Sequence, residues 1–599
     1  MTTIVRERSL PRRTSVTVSI HGFVHEVPVG TPAHRLLPER MHERLVVAAL
    51  VDNRAVSMTT PITSECHLSA LTTAHWEGQR IHRHSVALLA VEAAERLEPG
   101  VTLRAGASLG FAQRMSVTDP SGRTLGDLAA ELERAMRALV AECTPLLEEW
   151  WTVDEAREYL RGRGSPAVAL LDTWREAAVP LVSYGTHYAL QLGPLVHDTG
   201  LLDGFHVTAG EDVLLLAYGT EAAAVPLAST AIPSMTRDEI LASASARRRP
   251  PTFATRPEAD YVERQAQKAS VHVANVMRGQ EQWLEALGVT SVGALNHGCV
   301  NGDISQLIRV SEGFHEKRIG AIADEIRDRR DAVRVICIAG PSSSGKTTFI
   351  QRLEVQLEVN GLVPIGVSLD DYFLDRERTP RDASGDYDYE ALEALDTRLL
   401  GEHVGRLLAG ETVKTARFDF PTGKSHPEGG KEIRVGNDQV LLLEGIHGLN
   451  PRLLAGAPLE RLFRVFCCPL FQLPFDALTR VHASDVRLLR RIVRDRLARA
   501  TNAADTIQRW PSVRSGERKY IFPFQHHADA VFDSALVYEL NVLRVYAERY
   551  LLEVPQDHAA YVTAFRLIRL LDRFVTIYPE HVPPTSILRE FVGGSGFRY

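Results

Sequence analysis

The sequence predicts a multidomain chain: a β-rich front module, an α+β second domain, and an α/β domain on a doubly wound parallel sheet. Three observations carry this reading. At 599 residues the chain is far longer than one hydrophobic core can serve. Residues 15–73 alternate apolar and polar positions between turn residues, which is the period of strands. From Val333 onward, short apolar runs alternate with stretches of helical period, the order that builds parallel sheets.

Composition narrows the class. The chain is 45% hydrophobic and 24% charged with a net charge of −7, which gives no reason to expect a general nucleic-acid or anionic-membrane binder. Its six cysteines lack C-x-x-C spacing, so reduced thiols are expected rather than a disulfide frame or a zinc cluster. No apolar run approaches the ~18 residues of a membrane span. The N-terminus carries Arg6, Arg12 and Arg13 without an apolar segment, so the expectation is a cytoplasmic protein with no membrane partner.

In the front module, Val16–Ile20 and Val24–Pro28 read as strands joined by His21-Gly22. A helix is expected over Ala33–Arg44. A turn-linked pair follows, Val46–Val51 and Ala55–Val56 around Asp52-Asn53. This order, with the phrase VVAALVDNRAV, resembles the TGS domain, a ubiquitin-like β-grasp module at the front of threonyl-tRNA synthetases. Residues 74–241 extend the resemblance. Thr124–Leu147 has helical period, and Thr152-Val-Asp-Glu155 reads as a capping box before another helix. Synthetases of that type carry H-S-x-x-H and a later C-x-x-x-H in this region. Here His84 is kept, while Leu88, Gln191 and Leu195 stand at the other three positions. A metal needs several convergent ligands, so the resemblance implies a retained scaffold that has lost its chemistry. His75, His82 and His187 are the residues available to rebuild a site.

Residues 242–257, with Arg247-Arg-Arg249 and Pro250-Pro251, read as a linker. Residues 258–330 read as a helical lead-in, and 546–599 as a helical tail through Tyr561–Tyr578.

Between them, 331–545 carry the chemistry. The short apolar run Val333–Ala339 feeds Gly340-Pro-Ser-Ser-Ser-Gly-Lys346-Thr347-Thr348, the spacing G-x-x-x-x-G-K-T, with a helix from Phe349 to Val359. Such a loop wraps backbone N–H groups around phosphate oxygens, and the helix N-terminus adds a favourable dipole. The expected nucleotide-binding residues are therefore Gly340, Ser342, Ser343, Ser344, Gly345, Lys346, Thr347 and Thr348. Lys346 reaches the β/γ-phosphates and Thr347 ligates Mg²⁺. A second strand, Val363–Ser368, ends at Asp370-Asp371, placed for acid–base work beyond a strand's carboxyl end. A third, Val440–Leu443, ends at Glu444, suited to Mg²⁺. Phe463–Cys468 and Ala530–Leu536 complete the sheet.

These phrases, with Asp388-Tyr-Glu-Ala-Leu392, Phe418-Asp-Phe420 and the basic run Arg487–Asp495, resemble the uridine kinase and phosphoribulokinase branch of P-loop kinases. The resemblance implies an ATP- and Mg²⁺-dependent nucleoside kinase acting on a 5′-hydroxyl, with uridine or cytidine as substrate. By position it makes Asp370 the catalytic acid, Asp388 the ribose ligand, Phe418 the base contact, and Arg491 and Arg494 the lid arginines. His426 is the candidate for base reading, although the spacing after Phe420 is longer than the family's. The lid run Ala498–Asp505 lacks the usual E-R-G-R-D. The whole chain resembles bacterial proteins that fuse threonyl-tRNA-synthetase-like domains to a uridine-kinase-like domain. Two alternatives stay open: a kinase for another sugar or metabolite, and an RNA-associated regulator whose front domains bind a tRNA-like ligand. The sequence leaves homo-oligomerisation open.

Overall fold

The computed structural model describes residues 13–218 and 271–598, apart from 43, 99, 110–111, 303, 382–384, 386, 457–460 and 471. The expected linker at 242–257 lies outside the described residues.

The front module is a mixed sheet. Val16, Val18 and Ile20 are buried on one face of Ser15–Ile20. That strand pairs antiparallel with Phe23–Pro28 through His21-Gly22, both at positive φ. Cys66–Thr72 joins it in parallel and Arg44–Val51 in turn pairs antiparallel with Cys66–Thr72. The expected helix over Ala33–Arg44 is not formed. Ala33, Leu36, Leu37 and Met41 mimic helical spacing, but Pro38 breaks the run. A single 3-10 turn, Ala33–Arg35, is followed by Arg40–Met41 paired as a strand.

The helix Trp76–Leu97 follows, and with Leu125–Glu142 it packs beside a four-stranded antiparallel sheet of Phe205–Ala209, Leu214–Tyr218, Ala112–Thr118 and Thr102–Leu109. The predicted capping box is present. Thr152 Oγ1 accepts the Glu155 N–H, and the Glu155 carboxylate accepts the Thr152 N–H. The helical stretch expected over Thr124–Leu147 stops at Glu142, because Leu147 already begins the strand Leu147–Thr152.

The third region is a five-stranded, wholly parallel sheet. Its order is Val363–Ser368, Gln439–Glu444, Val335–Ala339, Leu462–Cys468, Ala530–Asp533. Both faces are covered, as a doubly wound sheet requires. Ile336 and Ile338 face a core shared with Phe349 and Leu353 of the following helix, while Val335 and Cys337 face Leu400, Val404 and Leu407 on the opposite side. The first of these cores also takes in Ala156 to Leu190 and the segment up to Val592. Packing therefore groups part of the second region with the C-terminal half.

One connection matters for function. The segment between Leu462–Cys468 and the helix Ala483–Arg499 plugs into the second region. Ala477 O accepts the Ala105 N–H, the Asp476 carboxylate accepts the Leu190 N–H, and Leu478 is buried in the same core as Val86 and Leu88. The helical tail is shorter than expected, Tyr561–Leu571. The Leu571 and Phe574 carbonyls that a longer helix would use instead accept from the buried Arg544 guanidinium.

Candidate active site

The phosphate loop is built as its spacing demands. Gly340 stands where a Cβ would lie 2.0 Å from the Cys467 carbonyl, so only glycine permits this approach to the neighbouring strand. Gly345 has φ +85° and Ser343 +56°, which curls the chain into the helix Lys346–Val359. Lys346 Nζ lies 2.9 Å from Gly340 O and 3.4 Å from Pro341 O, folded back over the loop. The buried hydroxyls of Ser343 and Ser344 have no partner among the described residues. Free hydroxyls, an inward-folded ammonium and a helix N-terminus fit a polyphosphate.

Two carboxylates face this loop from adjacent strands. Asp370 opens onto the cleft after Val363–Ser368, its backbone N–H held by Ser368 Oγ at 3.3 Å. Surrounding protein pushes its carboxyl up from the ordinary value, Lys346 pulls it down, and Asp371 pushes it up again. Glu444, at the end of Gln439–Glu444, is raised by burial, lowered by Lys346, and raised by Asp370 and Glu590. Two acids sharing one ammonium are short of positive charge, which suits a divalent cation beside the half-buried Thr347. Asp371 is engaged elsewhere: its carboxylate accepts the Phe418 N–H. Of the pair, Asp371 is bound to the Phe418 backbone while Asp370 lies within reach of the Lys346 charge.

The basic run divides by helical face. On Ala483–Arg499, Arg487 and Arg490 are buried struts rather than lid residues. Arg487 Nη2 donates to Glu517 at 2.9 Å and Arg490 Nε to Glu539 at 2.6 Å, and each also donates to a loop carbonyl, Ser342 O and Ser343 O. Arg491 and Arg494 lie on the adjoining face. Arg491 Nη1 donates to Ser342 Oγ at 2.9 Å, and Arg494 sits 3.5 Å from Glu590. Arg491 thus reaches the loop directly, Arg494 is held by Glu590 and Asp495, and Arg487 and Arg490 support the loop through its carbonyls.

The acceptor side is more mixed. Asp388 Oδ2 accepts from Tyr520 Oη at 2.9 Å, and Asp388 Oδ1 from the Glu390 N–H at 3.2 Å. Phe418 is 5% exposed, its ring edge-on to Phe373 at 5.6 Å and Phe420 at 5.1 Å, so the aromatic turned to solvent is Phe420. His426 is exposed, opposite Arg417 on the hairpin and against Gly429. Among the described residues no hydrogen bond or ion pair joins it to Asp370 or Asp388, whose bonds are to Ser368, Glu390 and Tyr520.

Sequence reasoning missed four participants. Glu390 is pushed up to about 7 by burial and by Glu517, against the pull of Arg491 and Lys346. Glu517 accepts the Ser342 N–H at 3.1 Å, Tyr520 holds Asp388, and Glu590 reaches Thr348 from 242 positions away. Only Glu390 had a signal, as part of the Asp388-Tyr-Glu phrase.

Residues 335–540 match the Phosphoribulokinase / Uridine kinase family. The uridine kinase of Halalkalibacterium halodurans is 29% identical over 198 residues, 33% of this chain and 84% of that protein. The uridine kinase of Deinococcus deserti is 29% identical over 199 residues, 33% of this chain and 86% of that protein. Over another region, the threonine–tRNA ligase of Streptococcus mutans is 28% identical over 191 residues, 31% of this chain but only 29% of the ligase.

Proposed function

We propose, from the premise that residues 335–540 are a phosphoribulokinase/uridine kinase family domain, that the chain phosphorylates the 5′-hydroxyl of a nucleoside, uridine or cytidine foremost. That family makes the chain an ATP-dependent phosphotransferase. The observation that carries the finer reading is Asp370 and Glu444 at the ends of neighbouring strands, both acting on Lys346. Thr347 and Glu444 would hold Mg²⁺, whose part is to neutralise phosphate charge. Lys346, Arg491 and Arg494 orient the phosphoryl group. Asp370 takes the proton from the acceptor hydroxyl, and Asp388, fixed by Tyr520, engages the ribose. Phosphoryl transfer asks for positioning and charge rather than covalent chemistry, which these groups supply. The test is ADP release with a panel of nucleosides and sugars, with chromatography of the product, with and without added tRNA. A nucleoside 5′-monophosphate formed with uridine or cytidine supports the reading; phosphorylation of a different sugar reassigns the acceptor. The ligase similarity favours one second reading, an RNA-linked regulator, which predicts tRNA-dependent ADP release without a phosphorylated nucleoside.

A further inference from the structure

The phosphate loop is not open on all sides. Thr348, in the first turn of the loop helix, donates its backbone N–H to Glu590 Oε2 at 3.2 Å and its hydroxyl to the same oxygen at 3.1 Å. The other Glu590 oxygen faces Arg494 Nη1 at 3.5 Å, and the Glu590 side chain is only 7% exposed. Ile587 packs on the loop turn itself, since a Cβ on Gly345 would lie 2.5 Å from Ile587 Cγ2. Phe591 lies beneath the guanidinium groups of Arg490 and Arg494, at 5.1 and 5.8 Å. Further along, Arg598 O accepts from Gln351 Nε2 at 2.6 Å. Residues 582–598 thus lie along the loop helix and its basic partner helix.

We propose that this segment is an internal ligand of the nucleotide site, with the Glu590 carboxylate standing in for a nucleotide phosphate. The proposal rests on the reading of the loop as a nucleotide site. N–H groups in the first turn after G-x-x-x-x-G-K-T are donors to nucleotide phosphates, and the helix dipole favours an anion there. Glu590 takes that donor, and it also takes Arg494, one of the two lid arginines. A carboxylate and a phosphate cannot share these partners, because like charges at hydrogen-bond distance repel strongly where water is scarce. Glu590 also adds negative charge near Glu444, which shares Lys346 with Asp370, and so contributes to the rise of the Glu444 carboxyl. An incoming nucleotide would displace the segment from Thr348 and release Arg494 to the phosphates. Ile587 and Phe591 supply the segment's apolar packing independently of the carboxylate.

The experiment compares the full chain with Glu590→Gln, which keeps shape and packing but removes the charge. A fluorescent ATP analogue reports affinity. Glu590→Gln is expected to bind about tenfold more tightly. In the unaltered chain, amide hydrogen exchange across 582–598 is expected to speed up when ATP is added. Equal or weaker binding by Glu590→Gln, or exchange in 582–598 that ATP leaves unchanged, overturns the proposal. Lys346→Ala in both backgrounds separates the two claims. Loss of binding with Lys346→Ala but no gain with Glu590→Gln sinks the internal ligand and keeps the nucleotide site, whereas binding that survives Lys346→Ala sinks the site and the proposal with it.

Discussion

Two regions carry motif residues, and they end differently. Around the phosphate loop, groups from distant parts of the chain meet: Lys346 acts on both Asp370 and Glu444, and Arg491 donates to Ser342. Around His84, most of the polar side chains named by the motif are tied to local partners, although His82 Nε2 and Arg83 Nε are buried without a hydrogen bond among the described residues. His75 caps its own helix by accepting the Glu77 N–H, and His82 lies 3.8 Å from Asp203. His187 bonds Glu95 at 3.0 Å, and Gln191 bonds Glu148 at 2.6 Å. Leu88 and Leu195 are fully buried, and Thr479 of the plug faces His84 at 3.4 Å. The difference teaches how to weigh a motif. Around the loop the charged groups share partners across distant segments, whereas the histidines at 75 and 187 are each bonded within the second region.

The strongest way to break this comparison is Lys346→Ala. Its ammonium acts on both Asp370 and Glu444, and it bonds the Gly340 and Pro341 carbonyls of the loop. Phosphoryl transfer should fall by at least about 10²–10³-fold. The melting temperature should fall only modestly, since the lost bonds of the ammonium are worth about 1.5–3 kcal/mol each at most. Turnover within a few-fold of the parent would remove the loop from the chemistry.

Next in size is the acidic pair. Asp370→Asn should cost about 10²–10⁴ in kcat with nucleotide binding retained. Asp371→Asn should cost little in rate but loosen the Phe418 hairpin, because its carboxylate accepts the Phe418 N–H. The reverse pattern in parallel rate measurements would exchange the two assignments.

A smaller effect sharpens the same side of the comparison. Glu390 is raised to about 7 from its ordinary 4.5, so the folded chain holds its proton more tightly than the unfolded chain does. A carboxyl raised in this way favours the folded state fully below about pH 4.5, and that contribution is lost as pH climbs through 7. Melting curves at pH 5, 6, 7 and 8 should show the parent losing stability relative to Glu390→Gln over this window. Parallel curves would mean that Glu390 is solvated like a surface carboxylate.

How much of this was legible depended on distance along the chain. The loop, its strand and its helix are contiguous, so spacing alone predicted them, and the parallel order followed from five short apolar runs. The resemblance singled out Arg491 and Arg494 from the basic run, but that Arg487 and Arg490 are buried struts was visible only once the helix face was known, because a charge run does not say which side is buried. The helix expected at Ala33–Arg44 failed because apolar spacing was weighed without Pro38, and strand pairing then decided the segment. Glu590 left no trace in the sequence. Its partner Thr348 is brought to it by packing of Ile587 and Phe591, which are ordinary apolar residues in any window. The plug at Ala477–Thr479 was invisible for the same reason.

The smallest expected effect lies on the other side of the comparison, at His84. Burial and the nearby Arg80 hold its imidazole down at about 4, so it is neutral at pH 7 and its nitrogen is chemically able to bind a metal. What it lacks is company. Among the described residues no group of three or more histidine, cysteine or acidic side chains is placed to hold an ion. A single imidazole binds zinc weakly, whereas three or four ligands hold it firmly. Thr479 occupies the near side, and Leu478 seals the core that Leu88 shares. The purified full chain should therefore contain far less than one zinc per molecule by elemental analysis. It should deacylate seryl-tRNA no faster than buffer does. His84→Ala should leave phosphoryl transfer unchanged and cost about 1 kcal/mol or less in stability, the worth of one long hydrogen bond. Stoichiometric zinc that vanishes in His84→Ala would show that histidines now engaged elsewhere rearrange around an ion, and the contrast between a converging and a sealed region would no longer hold.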